Sequence, residues 1–226
     1  WLQQDVKKCK IIIKNGGKIP TSEHKPNYKI YPSADELINV LRNTKNELLF
    51  LDLETDGPHN IQCMGFSFGL DKPTYCFPFI LHDYSLGYSH QLFCKIIHAL
   101  MIALQDNIAV AFNGAAFDFM VFARKYCIPI VKAKDVMLMQ HRCYQRVEKS
   151  LGHAMSLWTW EPFHKDEGDT GYHSIEQVNK KMQYCAKDVY GMMLVYEAMM
   201  KHADRNPGLH ESFNQVNDAI IPYMCM

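Results

Sequence analysis

The sequence has no net charge, no long hydrophobic run and no closely spaced cysteines. Its 24 Lys and Arg residues balance its 24 Asp and Glu residues, so the chain as a whole has no electrostatic attraction for nucleic acid or for a membrane surface. No apolar run approaches the roughly 20 residues that cross a bilayer. Hydrophobic residues make up 48% of the 226 residues, which is typical of a globular domain with one sizeable core.

The eight cysteines are spread along the chain, at Cys9, Cys63, Cys76, Cys94, Cys127, Cys143, Cys185 and Cys225. Disulfide frameworks and structural zinc sites normally bring cysteines together in short spacings such as C-x-x-C. The sequence contains no such spacing. It therefore favours buried free thiols in a reducing compartment.

The stretch 49–55, which reads LFLDLET, predicts a buried strand that runs out into a site. Side chains alternate along a strand, so Asp52 and Glu54 lie on one face and Leu51 and Leu53 on the other. Two buried carboxylates are costly as bare anions, and a hard divalent cation between them would offset that cost. The alternative is that both acids mark the solvated end of the strand, before a turn at 55–58.

Periodicity, capping residues and turn residues place the other elements. Strands are predicted at 47–53, 62–70, 74–79, 108–112 and 128–131. Helices are predicted at 33–43, 90–105, 114–122, from 135, around 154–158, 174–201 and 209–226. Residues 1–30 are expected to form an extension with a short strand at 11–13, and the polar loop 165–169 is expected to be mobile. This order is typical of an α/β domain with a mixed five-stranded sheet flanked by helices.

Three further motif residues follow in the chain. Asp118 comes after the fourth strand and Asn113, near the strand ends where sites form in open α/β sheets. Tyr184 and Asp188 are four apart on the predicted long helix and so share one face. Each motif alone has an ordinary alternative, an exposed acid or a surface Tyr–Asp pair. Together they give the order D-x-E, N-x-x-x-F-D and Y-x-x-x-D.

In this order the motifs resemble the DEDD superfamily of 3′–5′ exonucleases, in its tyrosine subclass, which is DnaQ-like and has the ribonuclease-H-like fold. The resemblance covers roughly residues 47–200. The histidine subclass has its histidine five residues before the last acid, where this sequence has Gln183, while Tyr184 lies four before. One departure is minor, since three residues rather than two separate Asn113 from Phe117.

Two other segments are similar to the proofreading domains of family A DNA polymerases. The first consists of residues 134–139 with 150–151, between the second and third motifs. The second is 215–224, which is similar to the helix leading into the polymerase domain. The resemblance therefore implies an N-terminal extension at 1–30, an exonuclease domain at 31–203, and a helix at 204–226 that leads toward a polymerase module.

The activity implied by the resemblance is metal-dependent 3′–5′ exonuclease activity at DNA 3′ ends, in polymerase proofreading. The alternatives are an RNA 3′-trimming nuclease of the same subclass and a non-catalytic domain that binds nucleic acid or braces a polymerase. The implied partners are single-stranded DNA or a frayed primer 3′ end and a polymerase module in the same chain, with no membrane. The implied setting is the cytoplasm of a bacterial or virus-infected bacterial cell, with an organelle as the alternative.

The resemblance also implies roles for individual residues. Two divalent ions, Mg²⁺ or Mn²⁺, would be held by Asp52, Glu54, Asp118 and Asp188. Two ions about 3.5–4 Å apart serve both the attacking water and the leaving oxygen of a phosphodiester. Tyr184 would orient the water with Glu54 rather than accept its proton, because the ordinary pKa of tyrosine is about 10. The terminal nucleotide would contact Leu53, Thr55, Asn113 and Phe117.

Overall fold

A six-stranded mixed sheet with the strand order β1-β4-β3-β2-β5-β6 forms the centre of the molecule. The computed structural model describes residues 2–20, 24–57, 60–161 and 171–225. The strands are β1 (Tyr28–Ile30), β2 (Leu48–Asp56), β3 (Asn60–Ser67), β4 (Thr74–Pro78), β5 (Ile108–Ala111) and β6 (Ala133–Asp135). Strand β2 pairs antiparallel with β3 and parallel with β5, so the strand with the two acids is central. The predicted α/β class with a mixed sheet is confirmed.

Nine helices are described around the sheet in these ranges. They are α1 (Leu2–Lys14), α2 (Ala34–Asn43), α3 (His90–Asp106), α4 (Asp118–Tyr126), α5 (Val136–Cys143), α6 (Leu151–Trp158), α7 (Ile175–Ala203), α8 (Pro207–Asp218) and α9 (Ile220–Met224). Five helices begin at a side chain that accepts a backbone N–H of the first turn, namely Ser33, Ser89, Asp135, Ser150 and Ser174. Such caps satisfy N–H groups that lack a partner in the helix. In the described part of the chain, no helix is long and apolar enough to cross a membrane.

The two faces of β2 are covered by different helices. Leu49, Leu51 and Leu53 belong to the core that includes residues of α2 and α3. Phe50, on the opposite face, packs with Val189 and other residues of α7. Because side chains alternate along a strand, the residues in register with Phe50 also face α7. Helix α7 therefore covers the face of β2 that carries the two acids.

Strand β3 and helix α7 approach each other closely at Gly65. A Cβ atom at this position would lie 2.9 Å from Sγ of Cys185 and 3.0 Å from Cγ2 of Val189. Both distances are shorter than van der Waals contact, so a larger side chain would require these residues of α7 to shift. The missing side chain thus permits the observed spacing of α7 over β3.

The predicted strand at 11–13 is wrong, because these residues belong to α1. Among the described strands, none pairs with the β-branched Ile11-Ile12-Ile13 run, and a helix satisfies its own backbone groups. Helix α1 is held at the C-terminal end of α6 by Lys8. Its Nζ lies 2.6 Å from the carbonyl oxygen of Thr159, also donates to that of Ser156, and lies 5.1 Å from the centre of the Trp160 ring. A cation at free carbonyls at the end of a helix is a stabilising contact.

Two predictions about the edges of the sheet need correction. The sheet has six strands rather than five, because Tyr28–Ile30, assigned to the extension, pairs in parallel with β4. The fifth predicted strand, 128–131, is not a strand. Pro129 within it has no N–H to donate, and the chain pairs with β5 only from Ala133.

The predicted single helix at 209–226 is two helices, α8 and α9. The break follows from Pro222, because a proline ring inside a helix clashes with the carbonyl four residues earlier, here that of Asp218. Helix α8 ends at that residue. The loop expected to be mobile, 165–169, lies outside the described residues.

Candidate active site

Three carboxylates converge where β2 meets α7. Asp52, Glu54 and Asp188 each offer an oxygen atom that lies within 4.8 Å of the others. Asp188 is 3% exposed, and the other two are partly buried. Like charges at this separation repel strongly where water is scarce, so the arrangement favours either a bound cation or a proton on one of the groups. The D-x-E spacing and the long helix together bring these three predicted residues to one point.

The pKa of Glu54 is shifted by this environment. This pKa is raised to about 7, mainly by burial and to a smaller extent by the nearby Cys63 and Asp188, while Lys181 opposes the shift. Nζ of Lys181 lies 3.4 Å from Oε2 of Glu54, and both side chains are largely buried. Lys181 is a site residue that the sequence analysis missed. The signal was present, because Lys181, Tyr184 and Asp188 recur at the i, i+3, i+7 spacing of one helical face.

Asp118, at the start of α4, lies beside β2 but outside the cluster of three. Its Oδ1 accepts a hydrogen bond of 3.0 Å from the backbone N–H of Leu53, the residue between the two acids of β2. Burial raises the pKa of Asp118 to about 7, with smaller contributions from Asp135 and Glu54, while its hydrogen bonds to backbone N–H groups act in the opposite direction. The fourth predicted acid is therefore tied to the backbone of the strand that carries the first two.

Tyr184 lies on α7 one helical turn before Asp188 and is 8% exposed. Residues four apart on a helix are neighbours on its surface, and the Asp188 carboxylate belongs to the cluster. The phenol is therefore presented on the helical face that carries the last acid. Its role as a residue that positions water stays a prediction.

Asp135 holds the loop that contains Asn113. The sequence predicted Asp135 only as the start of a helix. Its carboxylate caps α5 and also accepts hydrogen bonds from the backbone N–H groups of Asn113 (3.0 Å) and Ala115 (3.1 Å). Asn113 adopts φ of +67°, a left-handed conformation that asparagine tolerates better than most residues. The backbone N–H of Asp135 in turn donates to Oδ1 of Asn217 on α8 over 3.0 Å. Asp135 is the last residue of β6, a strand that the sequence did not predict.

The predicted substrate-contact residues lie in different surroundings. Thr55 follows a register shift in the β2–β3 pairing and lines a polar cleft of about 290 Å³, together with Lys181. Asn113 lines a more apolar cleft of about 360 Å³. Phe117 is partly buried before α4. The Leu53 side chain is 6% exposed and belongs to the core. Substrate contact by these four residues stays a prediction.

The donor set suits a hard divalent cation. Mg²⁺ and Mn²⁺ prefer carboxylate oxygens, and the cluster supplies three from two different elements. Burial has raised the pKa of Glu54, a cost that a bound cation would offset. Asp52, Glu54 and Asp188 are therefore the residues that could hold a divalent ion in this chain.

No protein-family model and no curated protein sequence matches the chain. Solved structures match its fold. The catalytic core of RRP6 from Trypanosoma brucei has a TM-score of 0.63 at 13% identity, over 90% of this chain and 55% of that one. RNase D of Escherichia coli, an exoribonuclease involved in structured RNA processing, has a TM-score of 0.63 at 14% identity, over 88% and 51%. The EXO domain of Nibbler from Aedes aegypti has a TM-score of 0.59 at 12% identity, over 89% and 99%.

The chain has the ribonuclease-H-like fold. At these identities the likeness establishes the fold and confirms the predicted class. The chain spans about half of the RRP6 core and of the RNase D structure, and nearly all of the Nibbler EXO domain.

Proposed function

We propose that this chain is a metal-dependent 3′–5′ exonuclease of the DEDD type, in its tyrosine subclass. The observation that carries the proposal is the convergence of Asp52, Glu54 and Asp188 within 4.8 Å. The third acid comes from the helix that also presents a tyrosine one turn away. A surface group of acids would lack both this burial and the raised pKa of Glu54.

In the proposed reaction a water oxygen bonds to phosphorus while the bond from phosphorus to the 3′ oxygen breaks. The terminal nucleotide leaves as a 5′-monophosphate and the shortened strand keeps a 3′ hydroxyl. A bound divalent cation lowers the pKa of its water and offsets charge on the leaving oxygen. Two such ions are proposed, with Asp52, Glu54 and Asp188 holding the first, and Asp52 and Asp118 serving the second.

The other residues position the reactants. Tyr184 and Glu54 are proposed to orient the attacking water, and precise orientation of this kind lowers the barrier. The Asp118–Leu53 hydrogen bond fixes the acid of α4 against β2. Leu53, Thr55, Asn113 and Phe117 are proposed to contact the terminal nucleotide, with the Asn113 loop held by Asp135.

For the substrate, RNA 3′ ends are the first proposal. It is supported by the likeness to RNase D, which is described as an exoribonuclease, and to the RRP6 and Nibbler structures. DNA proofreading is the second candidate, supported by the similarity of residues 134–139 and 215–224 to polymerase proofreading domains. If proofreading is the function, we propose that a polymerase module belongs to the same full-length chain and that the setting is the cytoplasm of a bacterial or virus-infected bacterial cell.

The deciding experiment is digestion of 5′-labelled single-stranded RNA and of DNA with the same sequence, in Mg²⁺, in Mn²⁺ and in chelator. We expect a metal-dependent ladder that shortens from the 3′ end. Faster cleavage of RNA than of DNA supports trimming, and faster cleavage of DNA than of RNA supports proofreading.

A matched pair of double variants tests the site itself. Asp52→Ala with Glu54→Ala should abolish cleavage while the chain stays folded. The control is the double variant Asp71→Ala with Glu176→Ala, which removes two exposed acids. This variant should cleave at the rate of the unaltered chain. If the first variant retains full activity, or the folded unaltered chain cleaves neither substrate, the proposed nuclease site is wrong.

A further inference from the structure

Three buried cysteines from distant parts of the sequence lie close together beside the carboxylate cluster. Cys63 lies on β3, Cys76 on β4 and Cys185 on α7. Each is fully buried, and their Sγ atoms all lie within 4.8 Å of one another. These residues are far apart in the sequence, and sheet pairing and helix packing bring them together.

The three thiols contact one another rather than a disulfide partner. All three are free, and Cys185 and Cys76 both hydrogen bond with Cys63. Val178, Met182 and Ala186 complete the buried cluster around them. Three sulfur atoms within 4.8 Å of one another form a donor set that differs in kind from the oxygens of the neighbouring acids.

The separation suits a single ion bound by all three sulfurs. With metal–sulfur bonds of about 2.3 Å, three thiolates around one ion lie about 4 Å apart. The three Sγ atoms lie within 4.8 Å of one another, a range that includes this spacing. Sulfur ligands select zinc and softer ions of similar electronic structure over Mg²⁺ or Ca²⁺.

We propose that Cys63, Cys76 and Cys185 form a binding site for one thiophilic closed-shell metal ion, of the class of Zn²⁺, Cd²⁺ and Cu⁺. As each metal–sulfur bond forms, the thiol proton is released to solvent and no electron is transferred. Sγ of Cys185 lies 3.5 Å from Oδ2 of Asp52, so the sulfur site borders the carboxylate cluster. The two sites differ in their donor atoms and bind different classes of metal ion.

Cadmium is the probe, because its thiolate complexes absorb in the ultraviolet and its carboxylate complexes do not. The background chain carries serine in place of the exposed cysteines Cys9, Cys94, Cys127 and Cys225, so that surface thiols do not contribute. The chain is refolded with Cd²⁺ and excess Mg²⁺, since the three target thiols are fully buried. We expect one Cd²⁺ per chain by native mass spectrometry, the thiolate absorption band, and a higher melting temperature than without Cd²⁺, because an ion that binds the folded state stabilises it.

Cys76→Ser in this background should weaken Cd²⁺ binding at least tenfold and remove the rise in melting temperature. The matched control is Cys143→Ser, which removes a partly buried thiol outside the group and should leave both unchanged. If Cys76→Ser does not fold by circular dichroism, Cys76→Ala replaces it, with the same expected loss. No thiolate band in the background chain, or an equal band in the folded Cys76 variant, would overturn the proposal. Exonuclease activity is measured separately, so the two proposals succeed or fail independently.

Discussion

Oδ1 of Asp118 accepts the backbone N–H of Leu53, so an acid from one helix is fixed to the strand residue that separates two other acids. This contact gives Asp118 a structural role beside its proposed role as a metal ligand. Different substitutions of Asp118 separate the two roles.

Asp118→Asn should lower exonuclease activity about 10- to 100-fold, a typical cost of losing a group that supports a metal site. Its stability in chelator should not fall, because the amide oxygen still accepts the Leu53 N–H and a buried charge has been removed. Asp118→Ala should be less stable by about 1–3 kcal/mol, because the buried N–H loses its partner. Denaturant unfolding and initial cleavage rates measure both effects. Full activity of Asp118→Asn would contradict a role in metal binding.

Stability in chelator should fall as pH rises from about 4 to about 7. Burial raises the folded-state pKa of both Glu54 and Asp118 to about 7, against about 4 in the unfolded chain. Between these values the folded chain binds more protons than the unfolded chain, so the free energy of unfolding decreases with pH.

The double variant Glu54→Gln with Asp118→Asn tests that slope. It should lose less stability than the unaltered chain over the same pH interval, when both are unfolded by urea in chelator. Mg²⁺ should reduce the loss in the unaltered chain only, since it favours the ionised carboxylates. Parallel pH profiles for the two chains would show that these acids do not carry raised pKa values.

Tyr184→Phe should lower kcat about 100-fold with little change in KM, because misplacement of a reactant by a small distance has a cost of this size. Tyr190→Phe is the matched control on the same helix. Its hydroxyl donates to the carbonyl oxygen of His24 over 2.7 Å, so its loss should affect stability and leave kcat unchanged. Equal rates for Tyr184→Phe and the unaltered chain would refute the proposed role of the phenol.

Asp135→Asn should destabilise the chain by about 1–3 kcal/mol, because an amide cannot accept from all the N–H groups that the carboxylate serves, and at least one stays unpaired. The KM for a short oligonucleotide should rise as well, since the Asn113 loop loses its anchor. Urea unfolding and steady-state kinetics measure these changes. The control is Asp106→Asn, which breaks the surface ion pair with Lys45 and should cost about 0–1 kcal/mol. An unchanged KM for Asp135→Asn would show that the Asn113 loop does not contribute to substrate binding.

Local patterns were sufficient to predict the elements that build the site. The apolar run before Asp52 predicted the central strand, and the serine caps at Ser33, Ser89 and Ser174 predicted where three helices begin. The spacing of Tyr184 and Asp188 predicted their shared helical face. These features depend on neighbours in sequence, and so a single sequence contains them.

Features that depend on distant contacts were missed. The pairing of Tyr28–Ile30 with β4 and the meeting of Cys63, Cys76 and Cys185 both require the whole sheet to be assembled. The role of Asp135 in the Asn113 loop also depends on a contact across many residues. Propensity misled the prediction at 11–13, where β-branched residues form a helix.

The closeness of β3 to α7 at Gly65 has a consequence for how this protein can vary. An alanine there would meet Cys185 and Val189, and the same helix carries Tyr184 and Asp188. One added methyl group would therefore require a shift at the residues that follow Tyr184 and Asp188 on this helix, although Gly65 itself carries no reactive group. Among variants of this chain, the tolerated substitutions at Gly65 should thus be limited by catalytic geometry before they are limited by folding.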